Sequence, residues 1–167
     1  MHRGDMLEDS PLQAASVRAF FENPVFLSSF VSLCLAQLLK GIICVLGGRV
    51  KRGRELAEVI AWRTGGMPSS HAALVCSLSA AIAFAEGVAS NAFVLSLWFA
   101  VVVMRDAMGV RRAAGLSSRA LNGLGKAAGD KLGVPFHPVK EVQGHTPLEV
   151  VAGGLLGVFI AAGLSLL

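Results

Sequence analysis

Gly65-Gly66-Met67-Pro68-Ser69-Ser70-His71 stands where a basic loop gives way to a long apolar run that begins at Ala72. Proline suits the edge of a helix and serine suits its cap, so this stretch predicts that a helix begins here. The free backbone N–H groups of the first turn would point back at the loop and, with the helix dipole, favour a bound phosphate. His71 would lie beside that anion, placed to exchange a proton with it. Ordinary capping and a surface histidine explain the same residues, so the stretch alone leaves both interpretations open.

The composition indicates a membrane protein. Hydrophobic residues make up 54% of the 167-residue chain and charged residues 16%, with a mean hydropathy of +0.64. A typical soluble domain has roughly 25% charged residues. We divide the chain into a polar tail or interfacial helix at residues 1–24 and a single membrane-embedded domain at residues 25–167. The expected fold is all-α, a polytopic membrane bundle with about four transmembrane helices and additional amphipathic interfacial helices.

The net charge of +4 and the pI of about 9.3 favour membrane lipid over nucleic acid as a partner. The basic residues flank apolar runs, and the chain has no tyrosine and no interleaving of aromatic and basic residues of the kind that stacks bases. The three cysteines, Cys34, Cys44 and Cys76, lie inside apolar runs without metal-ligand spacing. Because the histidines and acidic residues also lack such spacing, we expect no metal and no cofactor.

Four apolar runs predict membrane spans, at residues 25–48, 72–88, 92–104 and 148–167. Residues 117–132 carry apolar side chains at a spacing of three and four, which predicts an amphipathic helix lying on the membrane. Ser117 or Ser118 would cap that helix. A shorter interfacial helix is expected at residues 12–21, and a partly helical basic loop at residues 49–64.

The order of the spans brings distant polar residues to one membrane face. If each run crosses once, the loops at residues 49–70 and 105–147 fall on the same side. Counting Lys40 near the end of the first span, thirteen of the fifteen Lys and Arg residues lie on that side, so the positive-inside rule places it in the cytoplasm of a plasma (inner) membrane. The residues that gather at this face are Lys40, His71, Arg111 and His145. Lys40 either lines a polar pocket there or extends to the interface, and both alternatives remain open.

His145 and Glu149 are four residues apart at the start of the last span, on one helix face. A carboxylate at that spacing can fix the tautomer of one imidazole nitrogen and leave the other as a nucleophile. The second histidine, His71, could protonate a leaving oxygen, and the nearby cations would stabilise negative charge. This combination of groups favours phosphoryl transfer.

The third span runs directly into charged residues. Arg105 and Asp106 follow it too early to form a simple tail, and a charge near the membrane surface needs a partner. We therefore expect Asp106 to form a structural ion pair. For Arg111 and Arg112, anion binding and ordinary flanking of a span both fit.

Four segments together resemble a known family: AQLLK at 36–40, GGMPSSHAA at 65–73, DAMGVRRAAG at 106–115 and GHTPLEVVAG at 144–153. PSSH at 68–71 is similar to the Pro-Ser-Gly-His motif of the type 2 phosphatidic acid phosphatase and vanadium haloperoxidase superfamily. A histidine followed four residues later by an acid and then by a small residue resembles the closing motif of that superfamily. The combination resembles its divergent branch, the acid phosphatase or vanadium-dependent haloperoxidase-related membrane proteins, over residues 36–154.

The resemblance implies a role for each matching residue. His145 would be the nucleophile that forms a phosphohistidine, His71 the general acid, and Glu149 the carboxylate that orients His145, in place of the usual aspartate. The phosphoryl oxygens would be held by Lys40, Ser69 and Ser70.

Two positions depart from the superfamily pattern. Gly47 stands where the first motif has an arginine, and Val139 where the third motif has another. We expect Arg111 or Arg112 to supply the missing charge. The sequence thus predicts a metal-independent phosphatase that hydrolyses a lipid or isoprenoid phosphate through a phosphohistidine. The alternative is a non-catalytic membrane module that binds phospholipid headgroups or a partner protein.

Overall fold

The computed structural model of the protein describes residues 11–48, 53, 66–141 and 144–166. Those residues contain no strand, and their helices are α1 (Pro11–Phe21), α2 (Pro24–Leu46), α3 (Ser70–Glu86), α4 (Asn91–Met108), α5 (Val110–Leu132) and α6 (Pro147–Ser165). The helix predicted at residues 12–21 is therefore present as α1. The basic loop predicted at residues 49–64 lies outside the described residues, apart from Gly53.

Three helical segments of the described chain are long and apolar enough to cross a membrane. They are α2, α6 and the segment Asn91–Leu132, in which α5 follows α4 after a single residue. The fourth apolar helix, α3, has 17 residues. At 1.5 Å per residue it is about 25 Å long, somewhat shorter than a hydrocarbon core of about 30 Å. The expected all-α membrane bundle is confirmed.

The bundle has small residues inside and large apolar residues outside. Its central helix is α3, which contacts α2, α4 and α6. The buried residues of α3 are almost all alanine or serine: Ser70, Ala72, Ala73, Val75, Ser77, Ser79 and Ala81. Leu95 and Trp98 on α4 and Phe159 on α6 are exposed. Lipid tails can cover this exterior, and the small interior lets the helix backbones approach closely.

The boundary between α4 and α5 differs from the prediction. The third span continues as a helix through Arg105 and Asp106 to Met108, and Gly109 alone separates it from α5. The predicted cap at Ser117 or Ser118 is wrong, because α5 begins at Val110. The Ser118 hydroxyl instead donates to the Ala114 carbonyl, 2.9 Å away within the helix. Serine can satisfy its hydroxyl inside a helix as well as at a cap, and the sequence does not distinguish the two.

The contact between α3 and α6 depends on two glycines. A Cβ atom added to Gly153 would lie 2.2 Å from the Ser69 carbonyl oxygen, and one added to Gly157 would lie 2.2 Å from the Ala73 carbonyl oxygen. The two glycines are four residues apart, as are their two partners, so one glycine face packs along one backbone ridge. This spacing places the start of α6 beside the start of α3.

Gly157→Ala should destabilise the protein, because its new methyl group would meet backbone atoms that cannot rotate away. Overpacking of this kind typically costs about 1–3 kcal/mol, which a thermal unfolding scan of the detergent-purified protein can detect. Gly163→Ala on the same helix is the matched control, because its Cβ would have nothing within 4 Å. Equal midpoints for the two variants would contradict the close packing of α3 on α6.

Candidate functional site

The start of α3 is fixed by a bond to α6. Ser69 is the N-cap of α3, and its hydroxyl accepts a long hydrogen bond, 3.4 Å, from the Ala72 amide. The Ser69 amide donates to the Glu149 carbonyl oxygen at 3.0 Å. Both Ser69 and Ser70 are fully buried. Ser69 therefore caps the helix in the interior of the bundle, next to the first turn of α6, and Ser70 is the first residue of the helix.

His145 is held from both sides immediately before α6. Its backbone amide donates to the Ala107 carbonyl oxygen at 3.0 Å, which ties it to the last turn of α4. Its ring nitrogen Nδ1 lies 3.1 Å from Oε2 of Glu149, and only 3% of the residue is exposed. With the proton on Nδ1 shared with the carboxylate, Nε2 carries a free lone pair. This is the tautomer that nucleophilic attack by the imidazole requires.

Glu149 also caps α6. Its Oε2 accepts from the Thr146 amide at 3.0 Å, while the Thr146 hydroxyl accepts from the Glu149 amide at 3.4 Å. This reciprocal capping box satisfies two amides of the first turn. One carboxylate oxygen therefore fixes both the start of α6 and the ring of His145.

The surroundings of His145 favour the neutral ring. Burial lowers the pKa of His145 below its ordinary value, while the hydrogen bond and the charge of Glu149 act in the opposite direction. The positive charges of Lys40 and Arg111 also lower this pKa. Burial and these two charges therefore favour the neutral ring, the form that a nucleophilic imidazole requires.

Lys40 lies inside the bundle and does not extend to the membrane surface. It is 2% exposed, near the end of α2. A Cβ added to Gly66 would lie 3.8 Å from its Cγ, so the chain just before α3 passes over its aliphatic part. The sequence left open whether Lys40 lines a polar pocket or extends to the interface, and in the structure its side chain is buried. Its charge interacts electrostatically with both His71 and His145.

Arg111 is held by Asp106. Its Nε donates to Oδ2 of Asp106 at 2.6 Å, a short charge-assisted bond that spans the α4–α5 junction. This is the ion pair expected for Asp106. Arg111 interacts electrostatically with His71 and His145. An arginine bonded through Nε keeps its terminal nitrogens for an anion.

Arg112 is placed differently from Arg111. Its backbone packs against Gly144, where an added Cβ would lie 2.3 Å from the Arg112 Cα, and its side chain is exposed. Among the described residues, the cations whose charges act on both histidines are Lys40 and Arg111. The structure thus separates two neighbouring arginines that the sequence could not distinguish.

The structure brings most of the predicted site residues to one end of the bundle. His71, half-buried in the first turn of α3, interacts electrostatically with His145 and with the charges around it. The residues found together are Lys40, Ser69, Ser70, His71, Arg111, His145 and Glu149. His137 is exposed in the segment after α5, and within the described ranges no three His, Cys, Asp or Glu residues are grouped as metal ligands.

Sequence reasoning missed two features of this site. The first is the capping role of Glu149, although Thr-x-x-Glu at 146–149 is a recognisable capping-box pattern. The second is the Ala107 carbonyl that holds the His145 backbone. No sequence signal marks the second, because every residue carries a carbonyl and only the fold selects one.

Comparison with known proteins supports the resemblance noted from the motifs. Residues 21–160 match the model of the Divergent PAP2 family. The chain is 36% identical over 149 residues to YuiD of Bacillus subtilis (strain 168), described as an uncharacterized membrane protein, with 83% of this chain and 91% of the relative covered. No solved structure matches. The family model spans most of the chain, including both histidine motifs, and the protein therefore belongs to the Divergent PAP2 family.

Proposed function

We propose that this membrane protein is a metal-independent phosphatase that hydrolyses a lipid or isoprenoid phosphate through a phosphohistidine at His145. The observation that carries the proposal is the buried pairing of His145 Nδ1 with Glu149, 3.1 Å apart, beside a second histidine and two cations. A histidine with a purely structural role would not require a second histidine and two cations beside it. The added charges are what an attack on phosphate requires.

The first half of the reaction transfers the phosphoryl group to the protein. Nε2 of His145 attacks phosphorus and forms an N–P bond, while the bond from phosphorus to the ester oxygen breaks. The negative charge of the bound phosphate favours a protonated His71, which gives its proton to that oxygen, so the alcohol leaves neutral. Glu149 stabilises the positive charge that develops on the His145 ring by accepting from Nδ1.

The second half releases phosphate. Water attacks phosphorus, and His71, now neutral, accepts the proton of that water as general base. The N–P bond breaks, its electron pair returns to Nε2, and inorganic phosphate leaves. Lys40 and Arg111 would stabilise the oxygens of the phosphoryl group in both halves, together with the amides and hydroxyls at the start of α3.

The setting of the site favours a substrate that is itself in the bilayer. The site lies at the end of helices whose outer surfaces carry large exposed apolar residues. A lipid or isoprenoid tail could remain in the hydrocarbon while its phosphate reaches the cations. From the excess of Lys and Arg on this side of the chain, we place the site at the cytoplasmic face of a plasma (inner) membrane.

His145→Ala should abolish phosphate release from every substrate, because it removes the nucleophile. His71→Ala should slow release from an alkyl phosphate by about 10²- to 10⁴-fold but affect an aryl phosphate far less, since an aryl leaving group needs little protonation. The assay is phosphate release in detergent over lipid and isoprenoid phosphates, with and without a chelator. Turnover by the His145 variant, or equal losses on both substrates for the His71 variant, would contradict the mechanism.

The same assay decides the alternative function. A protein that binds phosphate or vanadate but releases no phosphate from any of these substrates would be a binding module, and the hydrolase proposal would be wrong. The pairing of His145 with Glu149 favours hydrolysis, because Lys40 and Arg111 would serve phosphate binding equally well.

Glu149→Gln should move the acid limb of the pH profile of kcat/KM to lower pH. The carboxylate raises the pKa of His145, so its loss lowers that pKa further and keeps the ring neutral in more acidic solution. Glutamine can still complete the capping box, so the start of α6 should be retained. The wild-type and variant profiles are measured on the same substrate, so any ionisation of the substrate affects both profiles equally. A limb that stays in place or moves to higher pH would contradict the coupling of Glu149 to His145.

Arg111→Ala should reduce kcat/KM by about 10- to 100-fold, the effect of losing a charge-assisted bond to the phosphoryl group. Arg112→Ala is the matched control and should have little effect, because its side chain is exposed. Asp106→Asn should fall between them, since Arg111 keeps its charge but loses the carboxylate that orients it. Equal losses for the two arginine variants would show that the structure does not separate their roles.

A further inference from the structure

One element of the fold stands apart from the bundle. Among the described helices, α5 packs against α4 alone. Gly133, at φ +68°, ends α5 in a left-handed cap, and the chain then reverses. We call α5 and its return segment, residues 110–141, the arm.

The return segment covers one flank of α5. The side-chain amide of Asn122 donates to the Val139 carbonyl oxygen at 2.9 Å and accepts from the Val139 amide at 2.9 Å. The Phe136 ring lies over Gly125, where an added Cβ would be 2.2 Å from the ring. Arg119 pairs with Glu141 at 3.3 Å. These contacts hold the segment against the polar side of the helix.

The opposite flank of α5 is apolar and open. At 100° per residue, positions 110, 121, 124 and 132 share a face that the return segment does not cover. The residues there are Val110, Leu121, Leu124 and Leu132, which are 68%, 51%, 71% and 72% exposed. Four large apolar side chains on one helix face are costly in water and require a covering surface.

The charge of the arm indicates what that surface is. Apart from Arg111, which pairs with Asp106 at the site, the arm carries five basic residues and two acidic ones: Arg112, Arg119, Lys126, Lys131 and Lys140 against Asp130 and Glu141. This excess disfavours a second copy of the same arm and favours an anionic surface. The arm begins one residue after the end of α4. The outer face of α4 carries exposed apolar side chains and is itself suited to lipid.

We propose that the arm lies on the membrane surface, with its leucine face in the interfacial region and its net positive charge attracted by anionic phospholipid headgroups. A leucine face on a helix whose polar side is basic is the pattern of helices that lie in the interface plane. The proposal does not depend on catalysis by His145. It identifies the partner of the arm as the anionic lipid bilayer.

The test places a fluorophore on either face of the arm in the full chain. The native cysteines at 34, 44 and 76 are changed to alanine, and either Leu124→Cys or Lys126→Cys is introduced for labelling. These two positions are exposed on opposite faces of α5. The labelled proteins are reconstituted in nanodiscs of phosphatidylcholine, with or without phosphatidylglycerol, and with or without brominated lipid as a quencher.

We expect brominated lipid to remove most of the fluorescence at position 124 and little at position 126, with stronger quenching when phosphatidylglycerol is present. Equal quenching at both positions, or none at either, would overturn the proposal. Equal quenching with and without phosphatidylglycerol would overturn the choice of anionic lipid. Disulfide crosslinking between two copies through position 124 would indicate a protein partner instead.

Hydrogen exchange on the unmodified protein provides a second measurement that requires no substitution. Amides of the arm should exchange more slowly in nanodiscs that contain phosphatidylglycerol than in phosphatidylcholine alone. Amides of α3 in the bundle interior serve as the internal control and should not change. An arm with the same exchange rate in both lipids would argue against the proposal.

Discussion

The site depends on the bare backbone contact between α3 and α6. Because Gly153 and Gly157 have no side chains, the two helices approach until carbonyl oxygens occupy the space of the missing Cβ atoms. That approach allows the Ser69 amide to reach the Glu149 carbonyl oxygen. The histidine motif at the start of one helix and the histidine motif at the start of the other are thereby placed in one cluster. Interhelical packing in a membrane has little hydrophobic driving force, so such close fit is what holds the two motifs together.

The electrostatics of the cluster follow from its position at the membrane boundary. A cation inside a bundle is tolerated when other polar groups or a ligand surround it. Lys40 is buried there, and Arg111 reaches the same cluster from the other side, held by Asp106. Both charges disfavour a protonated imidazole at His145, and Glu149 opposes them. The balance leaves a neutral ring in a positive environment, which suits the attack of an uncharged nucleophile on an anionic phosphate.

Much of the fold could be predicted from the sequence, because apolar runs and their flanking charges are local signals. The four apolar helices and the convergence of both histidines at one end follow from them. The junction at Gly109 could not be placed, since Ser117 and Ser118 look the same as caps and as helix-interior residues. The choice between Arg111 and Arg112 also depends on three-dimensional packing. Neighbouring residues on a helix differ by 100° in direction, and only the folded chain shows that the charge of Arg111 acts on both histidines while Arg112 is exposed.

Oε2 of Glu149 has two hydrogen-bond partners, and this limits how the site can move. The same atom bonds the Thr146 amide and the His145 ring, so the carboxylate cannot follow a movement of the imidazole without loosening the first turn of α6. The α6 half of the cluster is therefore the more rigid half. In the proposed reaction, adjustment to differently shaped substrates would therefore come from the facing half, which contains His71 and the chain that precedes it beside Lys40.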